Sequence, residues 1–127
     1  MLVRESISTK VDIVAFHPHS RVIAITIAYN NLRVLCFGVY LPFDDDSSAY
    51  NDRLGDIFGF TKITAEMYPS FKCIILSDFN LECFTSKRGY CAFTPFMKDL
   101  NLCVCDHMDY NNAGYTLLNC FASAVFM

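Results

Sequence analysis

Alternation dominates the first third of the chain. Over residues 21–29, Ile23, Ile25 and Ile27 fall on one side and Val22, Ala24, Thr26 and Ala28 on the other, which is the two-residue period of a strand in a packed sheet. Asn30-Asn31 supplies two residues that tolerate a positive φ, so a two-residue hairpin into residues 32–40 is expected. In that second stretch Val34, Cys36 and Gly38 oppose Leu35, Phe37 and Val39. Both faces are apolar, which predicts a central strand ending in Val39-Tyr40-Leu41-Pro42. Residues 11–16 alternate weakly and run into His17-Pro18-His19-Ser20, where proline favours a turn. Residues 1–8 open in mid-pattern, with Leu2-Val3-Arg4 reading as the end of a strand, so a fragment is expected.

The period then changes. Across residues 50–68, Leu54, Ile57, Phe58, Ala65 and Tyr68 recur at helical spacing, while Asp52, Arg53, Asp56, Lys62 and Glu66 lie largely off that face. Ser47 or Ser48 can accept backbone hydrogen bonds at the start, and Pro69-Ser70 stops the helix. Gly55 and Gly59 make it weak without packing. Further on, residues 93–100 read as a short helix with Pro95 in its first turn, and residues 102–106 and 115–119 as short strands. Residues 121–127 are apolar.

Between these parts lies the stretch around which the chain is organised, Phe71-Lys72-Cys73-Ile74-Ile75-Leu76-Ser77-Asp78-Phe79-Asn80-Leu81-Glu82. A short apolar run ending in polar residues is how a doubly buried strand reads when it delivers side chains at its carboxyl end, where α/β sheets put chemistry. Strand alternation sends Asp78 and Asn80 to one side and Phe79 to the other. A carboxylate beside an amide suits a phosphate or a metal-bound water. The plain alternative is that both residues begin a turn.

Composition narrows the function classes. The chain has 127 residues, 54% of them hydrophobic, enough for one core and not two. A formal charge of −3 gives no global basic field, so nucleic acid would have to be met by a local patch. Lys87-Arg88-Gly89, in a loop expected over residues 83–90, is the adjacent basic pair available for a phosphate backbone; an ordinary solvent-exposed loop is the plainer reading. No apolar run approaches the ~20 residues of a membrane span, and the amino terminus lacks a signal peptide's apolar segment, so a soluble and unsecreted chain is expected; a monomer is expected as well. The seven cysteines include no C-x-x-C pair and read as reduced structural thiols. Cys103-x-Cys105 with His107 lacks the second pair a zinc site needs, His17-x-His19 reads as an exposed loop, and Asp44, Asp45 and Asp46 read as a solvated helix start.

Taken in order, a strand ending Val39-Tyr40-Leu41-Pro42, a helix, a strand ending Ser77-Asp78-Phe79-Asn80 and a Tyr115-Thr116 segment resemble the endonuclease/exonuclease/phosphatase superfamily. The chain is most similar there to the target-nicking endonuclease domains of non-LTR retrotransposons, with their V-Y-x-P, G-D-F-N and Y-T motifs. The resemblance implies an α/β fold, part of a four-layer α/β sandwich with a mixed sheet and flanking helices, and a single incomplete domain over residues 1–127. It implies that Asp78 orients or deprotonates the attacking water, that Asn80 supports the site and the transition-state phosphate, and that Tyr40 places its hydroxyl near the scissile phosphate. Mg2+ or Mn2+ is the implied cofactor, with Asp78 and Asn80 as its ligands, and DNA is the implied partner, in the nucleus if the parent element is active.

Departures accompany the match. Ser77 stands where the family has glycine, and Ser123-Ala124-Val125-Phe126 puts Phe126 where an aspartate should orient the catalytic histidine. The family's early Asn and metal-binding Glu would precede Met1, and its terminal Asp-His pair would follow Met127. The resemblance thus implies a fragment of a metal-dependent DNA endonuclease domain, catalytically impaired as given, and leaves open whether the chain acts as an enzyme. Three alternatives stand beside it: a non-enzymatic remnant or binding module keeping the fold's middle, a phosphatase of the same superfamily, and an aspartate-nucleophile phosphatase, which would need a second Asp where Asn80 stands.

Overall fold

The structure, a computed structural model, describes residues 5–82, 88–104, 109–110 and 116–124. A 3₁₀ turn over Glu5–Lys10 leads into β1 (Val11–Phe16), β2 (Val22–Tyr29) and β3 (Leu32–Tyr40). These are followed by α1 (Ala49–Glu66), β4 (Lys72–Glu82), α2 (Arg88–Asp99), β5 (Leu102–Val104), β6 (Asp109–Tyr110) and β7 (Thr116–Ala124). The chain is α/β. Among the described residues seven strands form one mixed sheet in the order β1-β2-β3-β4-β7-β5, with β6 pairing to β7.

Pairing follows from the connections. Tyr29 lies opposite Leu32 across the expected hairpin, and Asn30 takes the positive φ of 52° that lets two residues close it. The α1 crossover brings β4 beside β3 in parallel, as a helical connection between neighbouring strands requires. β1 and β3 both run antiparallel to β2, so the carboxyl ends of β1, β3 and β4 share one edge of the sheet.

Alternation sorts the apolar residues into two layers. Val22, Ala24, Leu35, Phe37, Val39, Cys73 and Ile75 face the helices and pack with Tyr50, Leu54, Ile57, Phe58, Phe93, Phe96 and Met97. The rings of Phe58 and Phe96 stack at 4.4 Å between centroids and tie α1 to α2. On the opposite face Ile25, Val34 and Cys36 are buried with Ile23, Ile27, Ile74 and Leu76 against them.

Several expectations are corrected. β4 runs through Asp78 and Asn80, where the strand was expected to end, and on to Glu82, so these residues do not open a turn. Asp78 pairs with Asn119 and Leu81 with Leu118. Phe79 and Asn80 are passed over by the partner strand, a bulge between Asp78 and Leu81; the expectation that the Asp78 and Asn80 side chains share one side lies outside the described residues. Arg88 and Gly89 lie in α2 rather than in a loop, and Pro95 sits well inside that helix. Residues 102–104 and 116–124, expected as short strands, extend the same sheet. The residues around Leu2-Val3-Arg4, Lys87, the Cys105 and His107 part of the zinc reading, Tyr115, and Val125 with Phe126 lie outside the described residues.

Candidate functional site

Parallel pairing places Tyr40 directly opposite Asp78 at the shared carboxyl edge. The helix crossover sets this register, since it starts β4 with Lys72 beside Val34 and carries the pairing in step from there. The Tyr40 side chain is half exposed, and its backbone N–H donates to the carbonyl of Arg21 at 2.8 Å. Over the Tyr40 ring lies the Arg21 guanidinium, 5.0 Å from the centroid, close enough for cation–π attraction. One residue below, the Ser77 hydroxyl donates to the Val39 carbonyl. The Ser77 side chain therefore serves as a cross-strand tie. Asn80 lies within the bulged part of β4.

The acidic loop between β3 and α1 is neither free nor simply solvated. Asp44 accepts from Arg88 Nη2 at 2.5 Å and from Nε at 3.4 Å, while Nη1 donates to the Ser47 carbonyl at 2.9 Å. Asp45 accepts from the Ser47 hydroxyl at 2.6 Å and from Arg53 at 2.8 Å. The Ser47 and Arg53 bonds hold the Asp45 carboxyl down to about 2, and the Arg88 fork likewise lowers Asp44. Beneath the loop, buried Tyr50 presents its ring to Arg88 at 5.2 Å and Arg53 at 6.0 Å. Ser48, at the start of α1, makes no side-chain cap, so these ion pairs take over the ordering expected of a serine cap. The strand-end loop after β3 is thereby fastened to the first residue of α2.

His17 also departs from expectation. It is 2% exposed, donates from Nε2 to Asp56 at 2.9 Å and accepts the backbone N–H of His19 at Nδ1, 3.2 Å away. Phe60 meets its ring edge-on at 5.1 Å. Both ring nitrogens are occupied, so His17 pins the β1–β2 turn to α1 and has no lone pair left for a metal. Cys36 and Cys73 are buried free thiols; burial raises both, Cys73 to about 12, which suits packing and not nucleophilic work. Among the described residues no group of three or more His, Cys, Asp or Glu stands together as a metal cluster, and no helix is long and apolar enough to cross a membrane.

The sequence singled out Tyr40 and Asp78, which the register sets opposite each other, and did not single out Arg21 or the ion pair of Arg88. The Arg21 signal was its position immediately before an alternating strand. Arg88 stood in a recognised basic pair, but its partner lies 44 residues away, a distance that local pattern does not span.

No family profile matches the chain, and no curated protein sequence matches it. Solved structures do. The endonuclease domain of TRAS1, a telomere-specific non-LTR retrotransposon, is 10% identical with a TM-score of 0.56 over 90% of this chain and 55% of its own. Beta toxin from Staphylococcus aureus, a mutant with bound magnesium ions, is 12% identical with a TM-score of 0.59 over 80% and 41%. An endonuclease/exonuclease/phosphatase family protein from Leptotrichia buccalis is 13% identical with a TM-score of 0.54 over 80% and 40%. The chain spans 40–55% of the length of these structures. It has the endonuclease/exonuclease/phosphatase fold over that part.

Proposed function

We propose that this chain is part of a metal-dependent phosphodiesterase domain of the DNA endonuclease type found in non-LTR retrotransposons. The observation that supports it most is the register of Tyr40 with Asp78 at the carboxyl edge, in a fold shared with a retrotransposon endonuclease domain. Asp78 is the acceptor for a proton of the attacking water, Asn80 donates to the phosphate as charge develops, and Tyr40 brings its hydroxyl to a non-bridging oxygen. Asp78 and Asn80 supply only oxygen and amide donors, a set that fits a hard divalent cation such as Mg2+ or Mn2+. When bound, such an ion polarises the phosphoryl oxygen. DNA is the partner, the chain acts as a monomer, and its place is the nucleus if the parent element is active.

We further propose that the chain alone nicks DNA poorly. Residues that act as one unit are strongly non-additive, and a ligand misplaced by about 1 Å costs on the order of a hundredfold. Asp44 and Asp45 are not substitute ligands, because Arg88 and Arg53 already hold them. Two measurements test these readings. In a titration with Mg2+ or Mn2+ followed by backbone amide resonances, the first changes are expected at Tyr40, Asp78 and Asn80; changes confined to the Asp44 to Asp46 loop would overturn the site. In a supercoiled-plasmid assay with either metal, nicking at background is expected. Metal-dependent nicking that vanishes in Asp78→Ala would overturn the impairment while supporting the site.

A further inference from the structure

Arg21 and Tyr40 meet at the same sheet edge as Phe16. Phe16 pairs with Ile23, and Arg21 stands two residues before Ile23 on the same strand face. Tyr40 stands two residues after Gly38, the partner of Ile23. Alternation therefore puts all three on the face opposite the helices. Phe16 is 59% exposed and Tyr40 52%, so both rings are open to solvent at this end of the sheet.

Among the described residues the charge at Arg21 has no carboxylate partner. Arg53 and Arg88 each hold a carboxylate, whereas among the described residues Arg21 forms no ion pair; its one side-chain partner is the Tyr40 ring. A guanidinium lying along an aromatic face keeps its donors pointing outward in a fixed plane, the arrangement that takes a phosphate bidentately. Exposed aromatic faces beside it suit bases, since every base has a face to stack. We propose that Arg21, oriented by Tyr40, holds a backbone phosphate of single-stranded nucleic acid, with the Phe16 and Tyr40 rings as stacking surfaces for the adjoining bases. The proposal rests on the reading of this edge as the site, but binding does not require hydrolysis.

The test uses the intact chain and a short fluorescent single-stranded oligodeoxynucleotide, with anisotropy measured in chelator so that no divalent metal takes part. Arg21→Ala is expected to weaken binding about tenfold and to reduce the slope of log affinity against log salt by about 0.7, one phosphate contact. Arg21→Lys should keep the slope and lose part of the affinity, because charge remains while the planar fork goes. Arg33→Ala removes the same charge from an exposed residue near the start of β3, at the other end of that strand, and should change affinity less than twofold. Equal effects of Arg21→Ala and Arg33→Ala, duplex binding tighter than single-strand binding, or no binding by the parent would each overturn the proposal. Should Arg21→Ala fail to fold, amide shifts of the parent on adding the oligonucleotide decide the matter: they are expected at Phe16, Arg21 and Tyr40, and shifts confined elsewhere overturn it. Because metal is absent throughout, failure here leaves the Asp78 reading standing, whereas a metal titration that moves the site elsewhere removes the ground of this one.

Discussion

Asp44 and Arg88 form a forked ion pair that joins the loop leaving β3 to the first turn of α2. The same guanidinium reaches the Ser47 carbonyl and lies over the Tyr50 ring, so one side chain fixes a carboxylate, a peptide and an aromatic face. Arg88→Lys retains the charge but cannot span these partners. Both Arg88→Lys and Arg88→Ala are expected to lower the thermal midpoint and to speed proteolytic cutting between residues 41 and 48. Asp44→Asn should do the same, and the double variant should be no worse than either single one. Fully additive losses in that double-mutant cycle would show that the pair is not coupled.

Acid should release this loop in a defined window. Asp45 is held down to about 2 and Asp44 is lowered in the same direction, against an unfolded carboxyl of about 4. A lowered carboxyl stabilises the folded chain above the unfolded value and loses that contribution as pH falls through the folded one. The urea midpoint of the parent is therefore expected to fall between pH about 4 and about 2. In Asp45→Asn the midpoint should start lower and fall less. A variant whose midpoint tracks the parent's over that range would remove Asp45 from the account.

His17 and Asp56 make an unequal pair. The ring is 2% exposed and the carboxylate 60%, so the two halves of one hydrogen bond differ in what their loss leaves behind. His17→Ala empties a packed position against Phe60 and strands the His19 amide, a loss of about 2 kcal/mol or more. Asp56→Ala leaves the imidazole one partner short at a surface where water can replace it, for under about 1 kcal/mol. Chemical denaturation of the two variants checks the order. Equal costs would mean that the bond, and not the buried ring, secures the β1–β2 turn.

What could be read from the chain beforehand follows the range of each interaction. The faces of residues 22–29 and 32–40 were legible because alternation is local, and Asn30-Asn31 closed the hairpin as such residues do. Tyr40 was legible as the last residue of its strand; Asp78, expected near the end of its own, shares a register position with it while β4 runs on to Glu82. His17 was not, since a turn histidine becomes buried only through Asp56 and Phe60 on another element. Arg88 was misplaced in a loop because Lys87-Arg88-Gly89 carries the composition of one, whereas its helix is held by Phe93, Phe96 and Met97 in the core. The strand expected over residues 115–119 runs further; its pairing with β4 carries it to Ser123 and its pairing with β5 to Ala124.

Gly55 offers a test of the reading that α1 is held by packing and not by its own propensity. It lies within the helix, exposed, and a Cβ added there would meet nothing within 4 Å. Glycine costs a helix interior about 0.5–1 kcal/mol relative to alanine, through the greater freedom it loses on folding. Gly55→Ala removes that cost with no steric charge against it, while the buried face of Tyr50, Leu54, Ile57 and Phe58 is left untouched. The variant is expected to gain about 0.5–1 kcal/mol in denaturant unfolding, with an unchanged denaturant slope because the buried surface does not change. A loss of stability would mean that the exposed side of α1 at Gly55 is closely approached in solution, and that this glycine is there to allow it.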